Sequence, residues 1–311
     1  MRSMSMLRPV SDHQAGMLAA AGAAFVYGAA YPATAVALRS FSPLAIAGWA
    51  CTLALVLVLL LAVGGLIQRP ATDGLTRPRL VRLAVLAVLG GAGFIAAINV
   101  AVALSGPTIT GFVAPLYAVL ATVFAVPILG EPVRAMTVAA FVLALAGTVL
   151  LAGTAPLGAP LAGILMAVGG AAMFGLYLVL ARRWSGPYRL DGTLVTIANL
   201  LARGPGLLAV AAVVETRPLI PASLDPAAIL ALISIVIGAS STGSLLVMAS
   251  VRRVAAGRTS AALLLTPVSS AVIAALVLGE RLAPSGLLGA ALILLGIAGA
   301  SGLLRFRSVR A

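Results

Sequence analysis

Apolar residues along this chain neither alternate nor recur every three or four positions; they run together for about twenty residues at a time, separated by short clusters of Arg, Pro, Gly and Ser. A helix needs about 20 mostly apolar residues to cross a bilayer. Outer-membrane strands instead alternate over segments of about ten. Continuous runs therefore predict transmembrane helices, which satisfy their own backbone hydrogen bonds in lipid.

The gaps between charges mark the helices. No formally charged residue falls between His13 and Leu38, and Arg39 with Ser40-Phe41-Ser42-Pro43 then interrupts. This first run is longer than the 7 to 15 apolar residues of a signal peptide. Although Ala33 and Ala35 mimic a cleavage site, an uncleaved first span is expected. The second span is Leu44 to Ile67. The 48 uncharged residues between Arg82 and Glu131 exceed one crossing and are divided at Ser105-Gly106-Pro107; Pro cannot continue helix hydrogen bonding. The 47 between Arg134 and Arg182 are divided by the turn-rich stretch from Gly153 to Pro160. Leu190 to Val214, Ala227 to Val251, Gly257 to Leu278 and Leu282 to Leu304 complete a predicted total of ten.

Composition agrees with that pattern: of 311 residues 62% are apolar and 9% charged, with a mean hydropathy of +1.18. A soluble domain carries roughly a quarter charged residues, so a water-soluble globule is excluded. The net charge of +13 comes from twenty Arg and no Lys. On the ten-span reading, 16 Arg lie on the side of the two termini and 3 on the other, with Arg203 inside a span. Cytoplasmic loops carry the excess of basic residues. Both termini are thus expected in the cytoplasm and the chain in the cell inner membrane. The charge reports topology, and no nucleic-acid partner is expected. Arg305, Arg307 and Arg310 are expected among anionic headgroups.

Chemistry that needs acids, histidines or thiols has little material here. Cys51 and His13 are the sole residues of their types, and all seven acids, Asp12, Asp73, Glu131, Asp191, Glu215, Asp225 and Glu280, fall at span ends or in loops. No metal site, cofactor or enzymatic activity is expected, and no buried carboxylate offers a proton relay. The expectation is transport down the substrate's own gradient, or coupling by a route the residues do not display.

An ungapped offset of 149 pairs Ala23 with Ala172, Phe25 with Phe174, Thr110 with Thr259, and Gly130-Glu131 with Gly279-Glu280. Two halves of five spans must enter the membrane from opposite faces, which makes an inverted repeat. Each Gly-Glu is read as a polar helix end followed by a restart at Pro132 or Arg281.

The two Gly-Glu motifs, the stretches Ser105 to Thr110 and Ala255 to Ser260, and Pro267-Val268 leading to Gly279-Glu280-Arg281 resemble the EamA repeat of the drug/metabolite transporter superfamily. Tyr27 to Ala35, followed by Phe41-Ser42-Pro43-Leu44, is more narrowly similar to the aromatic amino-acid exporters within it. Many members carry an Arg where this chain has Ala50, beside Trp49. The resemblance implies an all-α membrane protein, with ten transmembrane helices as two inverted five-helix repeats around a central cavity. The expected organisation is a cytoplasmic segment 1–14, a first repeat 15–153, a second repeat 160–304 and a cytoplasmic tail 305–311.

The resemblance further implies that spans one, three, four, six, eight and nine line the cavity. The candidate substrate-binding residues on them are Tyr27, Tyr31, Asn99, Phe112, Tyr117, Phe174, Tyr177, Ser240, Ser244, Thr266 and Ser270. Hydroxyls and rings suit an amphipathic substrate, although each group equally suits interhelical packing. Pro115 and Pro267 are candidate hinges. Arg203, followed by Gly204-Pro205-Gly206, either attracts a substrate carboxylate or snorkels from a broken helix. Gly289, Gly296 and Ala300 suit dimerisation or internal packing, leaving monomer and homodimer open.

The expected function is export or facilitated passage of amino acids, aromatic or otherwise neutral and amphipathic, and related small metabolites by alternating access. Alternatives are export of drugs or other metabolites and, from a different class, a lipid-acting membrane enzyme. The expected partners are a small-molecule substrate and the lipid bilayer.

Overall fold

The computed structural model describes residues 12–65, 76–132, 135–152, 159–185, 190, 192–223, 225–251, 253–254, 259 and 262–300. Among them every regular element is helical. The helices are α1 (Asp12–Ala37), α2 (Pro43–Val63), α3 (Arg77–Leu86), α4 (Phe94–Val113), α5 (Tyr117–Leu129), α6 (Ala135–Ala152), α7 (Ala159–Ser185), α8 (Gly192–Leu201), α9 (Leu207–Val214), α10 (Pro226–Ser234), α11 (Ser244–Val251), α12 (Leu265–Leu278) and α13 (Pro284–Ala300). Wide π-helical turns join α3 to α4 (Ala87–Gly93), α8 to α9 (Ala202–Gly206) and α10 to α11 (Ile235–Gly243). A single 3-10 turn, Ala114–Leu116, carries Pro115 and joins α4 to α5.

Five helical runs are long and apolar enough to cross a membrane: Asp12–Ala37, Pro43–Leu60, Arg77–Leu129, Leu161–Trp184 and Leu194–Val214. Shorter apolar helices cover Val138–Leu151, Pro226–Ala239, Leu265–Leu278 and Pro284–Gly299. Large apolar side chains point outward, among them Leu60, Val63, Val142, Val149 and Leu276. Such an apolar exterior is what a bilayer stabilises. The run Arg77–Leu129 has 53 residues, which laid straight would extend about 80 Å, far beyond a hydrocarbon core of about 30 Å. It is broken at Gly106, whose φ of 81° and ψ of 165° lie in a region open essentially to glycine alone. The sequence expectation of a break at Ser105-Gly106-Pro107 is met by this one residue.

Helix ends are set by local chemistry. Pro43, Pro78, Pro226 and Pro284 stand in first turns, where a missing N–H costs nothing. The Asp225 carboxylate accepts the Ala227 N–H at 2.9 Å as an N-cap. Both Gly-Glu motifs end their helices alike: Gly130 (φ 69°) and Gly279 (φ 71°) are left-handed, and Glu131 and Glu280 donate their N–H to Ala125 O and Ala274 O at 3.4 and 3.3 Å. These are glycine-terminated Schellman-type ends. The next helix starts later than expected: α13 begins at Pro284, not at Arg281.

The offset of 149 recurs in three dimensions. Adding it to the bounds of α5 gives 266–278 against the observed Leu265–Leu278, and adding it to the π turn 87–93 gives 236–242 against Ile235–Gly243. Contacts repeat likewise. A Cβ on Gly28 would meet Thr266 O at 2.6 Å and Ser270 N at 2.9 Å, and a Cβ on Gly175 would meet Tyr117 O and Ala121 N, both at 3.0 Å. Tyr117 and Ala121 are the 149-residue mates of Thr266 and Ser270. Glycines thus let α1 touch α12, and α7 touch α5, backbone to backbone.

The small residues of α13 are used within the chain. A Cβ on Gly289 would meet Gly147 O at 2.7 Å and Leu151 N at 2.8 Å, and one on Gly296 would meet Ala140 O at 2.7 Å. The interface between α6 and α13 is closed by the buried residues Ala144, Leu151, Ala290, Ile293 and Ile297. Ala300 lies at the end of α13 with its side chain outside the described residues.

Candidate functional site

The fold gathers aromatic side chains where α1, α5 and α7 meet the π turns. Phe174 on α7 is the hub: its ring centroid lies 4.5 Å from Phe94, 4.9 Å from Tyr117 in an edge-on arrangement, and 5.3 Å from Tyr177. Separations of 4.5–7 Å are favourable for ring pairs. Half-buried Tyr117 stands beside Phe174, and Tyr27 and Tyr31, four residues apart, share one face of α1. Tyr31 in turn approaches the contact of Gly111 with Ser270. Residues from both halves, Tyr27, Tyr31, Tyr117, Phe174, Tyr177 and Ser270, therefore share one neighbourhood.

Two of these tyrosines lie on the repeated π turns. The Tyr27 ring covers Gly243, where a Cβ would come within 2.7 Å of Cε1. The Tyr177 ring covers Gly90 in the same manner. Each tyrosine belongs to one half and each glycine to the other. Wide turns of this kind loosen the helical ladder and recur at functional sites.

Other expected residues carry structural bonds. Asn99 is buried and donates from Nδ2 to Pro43 O at 3.0 Å, tying α4 to the start of α2. Ser270 is fully buried, and its Oγ donates to Pro107 O at 3.3 Å. Phe112 is packed in the core with Val113 and Leu116. Thr266 is half-buried, with its carbonyl against Gly28. Ser240 falls on the π turn Ile235–Gly243 and Ser244 opens α11, but their side chains lie outside the described residues. Of the hinge candidates, Pro115 occupies the 3-10 turn, while Pro267 is buried in the first turn of α12, where its missing N–H interrupts no bond of that helix.

Arg203 lies in the π turn between α8 and α9, so the helix is indeed broken there. The side chain does not run to a helix end. Its Nη2 donates to Gly90 O, and its Nε is buried without a partner. One turn earlier, Asn199 is 8% exposed; its Nδ2 donates to Tyr177 Oη at 3.3 Å while its Oδ1 finds no partner. On α2, Thr52 Oγ1 is likewise buried and unpaired, against the backbone of Gly204. A buried unsatisfied polar group costs about 1–3 kcal/mol. Sequence reading missed Phe94 and Asn199. The signal for Asn199 was an amide four residues before the Arg in the middle of the run from Leu190 to Val214, which places both on one helix face.

Acids at the helix ends hold neighbouring helices. Glu280 accepts the Thr108 N–H at 3.2 Å, beside Gly106. Glu215 accepts from Ser42 Oγ, and from Leu44 N at 3.0 Å, which caps α2 from the end of α9. Glu131 pairs with Arg182 at 2.7 Å on an exposed surface.

Stacked apolar helices with outward aliphatic side chains, pierced by a polar and aromatic interior, define a multi-pass membrane protein. A family model for EamA-like transporters matches residues 14–153 and again 161–302. The chain belongs to this family of the drug/metabolite transporter superfamily, whose members are membrane transporters and not enzymes. No curated protein matches. A solved crystal structure is 21% identical over 93% of this chain and 96% of its own, with a TM-score of 0.61, which establishes a shared fold.

Proposed function

We propose that this transporter crosses the cell inner membrane ten times, as inverted repeats 15–153 and 160–304, with both ends cytoplasmic, and exports or facilitates passage of amino acids and related small amphipathic metabolites by alternating access. The observation that carries this reading is the neighbourhood of Tyr27, Tyr31, Tyr117, Phe174 and Tyr177, built jointly by both halves. A site at the junction of two repeats is reached from either face when one repeat rocks against the other. The five rings favour substrates with an aromatic or aliphatic body, and the phenol hydroxyls favour a polar end. Ser240, Ser244 and Thr266 belong to the same proposed lining, backed by the buried Asn99, Phe112 and Ser270, with Pro115 as a hinge between α4 and α5 and Pro267 as one at the start of α12. The break at Gly106 supports reading Arg77–Leu129 as two crossings, and with it a count of ten.

The test is a substrate panel in proteoliposomes, with and without a pH gradient. Saturable flux of an amphipathic amino acid is the expected result. Flux of cationic drugs alone would replace the substrate class, and proton movement stoichiometric with substrate would replace downhill transport.

A further inference from the structure

Three buried polar atoms without partners, Arg203 Nε, Asn199 Oδ1 and Thr52 Oγ1, belong to neighbouring residues. Asn199 is one turn from Arg203, and Thr52 packs against Gly204 next to Arg203. Asn199 bonds to Tyr177, and Arg203 to Gly90, which the Tyr177 ring covers. Arg203 is eleven residues from each end of the segment Gly192–Val214, or about 16 Å at 1.5 Å per residue. That position is the middle of a segment of transmembrane length, far from either of its ends. The guanidinium is held by Gly90 O, a carbonyl in one of the widened turns. A single backbone carbonyl neutralises none of its charge. The backbones around it pack closely: a Cβ on Gly91 would lie 3.2 Å from Asn199 O, and one on Gly204 2.8 Å from Thr52 Oγ1.

We propose that Arg203, with Asn199 and Thr52, forms a mid-membrane binding site for a solute bearing a carboxylate. The guanidinium supplies the positive charge and an unused N–H; the Thr52 hydroxyl supplies a second donor to the same anion. Asn199 Oδ1 accepts from a donor elsewhere on the solute. Charge-assisted bonds of this sort are strong where water is scarce. Tyr177 hydrogen-bonds Asn199 at 3.3 Å and stacks on Phe174 at 5.3 Å, so the site adjoins the aromatic neighbourhood and would anchor a charged end beside it. This rests on the proposed transport reading and deepens it by naming a carboxylate as the bound group; binding is read without flux, so failure of either idea is distinguishable from failure of the other.

The experiment measures thermal unfolding of the full chain in phosphatidylcholine nanodiscs, titrated with benzoate, benzylamine or inorganic phosphate, and repeated with phosphatidylglycerol in the disc. Benzoate is expected to raise the midpoint, because a ligand for the folded state stabilises it, and benzylamine is not. Arg203→Gln is expected to weaken benzoate protection about tenfold, with Arg203→Lys retaining part of it. If Arg203→Gln does not fold, Thr52→Val carries the test and is expected to weaken protection several-fold. An absent benzoate effect, which would leave ordered water as the partner of these atoms, overturns the proposal. So does protection by benzylamine, equal protection of wild type and the readable variant, or protection by phosphatidylglycerol or phosphate in place of benzoate.

Discussion

The carboxylate of Glu280, at the end of α12, accepts the Thr108 N–H at 3.2 Å and so caps the helix that restarts after Gly106, 172 residues earlier in the chain. An anion at a helix N-terminus satisfies an orphan donor and opposes the positive end of the helix dipole. Glu280→Ala removes both effects and is expected to lower stability by about 1–2 kcal/mol. Glu280→Gln keeps an acceptor and should lose less. Thermal unfolding in detergent reads both variants.

Gly106 is the partner feature. Its φ of 81° with ψ of 165° is strained for any side chain, and a Cβ there would come 2.7 Å from Glu280 Oε1. Gly106→Ala is expected to cost about 1–3 kcal/mol, read in the same unfolding experiment.

The repeat mate Glu131 makes a contrasting pair with Arg182, whose side chains are 42% and 70% exposed. Exposed pairs contribute about 0–1 kcal/mol and weaken with salt. Glu131→Gln should therefore shift the unfolding midpoint little, and less at high ionic strength. A loss as large as that of Glu280→Ala would mean that Glu131 has a second partner.

These differences bound what the residues disclosed. The offset of 149 and the two Gly-Glu motifs located the helix ends, because a left-handed glycine terminus is a local property written in two adjacent letters. Which partner each glutamate meets is a matter of packing between distant segments, and no spacing encodes it. The same limit applies to Asn99, whose amide is occupied by Pro43 O, and to the π turns Ala87–Gly93 and Ile235–Gly243, which carry no charge or proline to mark them; only Ala202–Gly206 was marked, by Arg203 and Pro205. The glycines of α13 were ambiguous between two interfaces until α6 was seen opposite them.

That last point is testable. Gly289→Leu is expected to destabilise the α6–α13 interface by about 1–3 kcal/mol through overpacking, without changing the oligomeric mass read by native mass spectrometry. A shift in mass with no loss of stability would move Gly289 to an intermolecular contact.

At the aromatic neighbourhood, Phe174→Ala removes three ring contacts. Pairs of this kind contribute about 0.5–1.5 kcal/mol each to stability, so Phe174→Ala should lower the unfolding midpoint. Loss of one ring contact of about 1.4 kcal/mol with the substrate should raise KM for transport roughly tenfold. Tyr117→Phe retains the ring and should change KM less. Initial-rate transport in proteoliposomes separates these effects from expression.

The most direct test of the carrier reading is counterflow. Proteoliposomes preloaded with an unlabelled neutral amphipathic amino acid such as phenylalanine are diluted into a trace of the labelled compound. An alternating-access carrier predicts a transient accumulation of label that saturates with external substrate and is slowed about tenfold in Phe174→Ala. Label entry that rises linearly with concentration, and is the same with or without preloading, would contradict it.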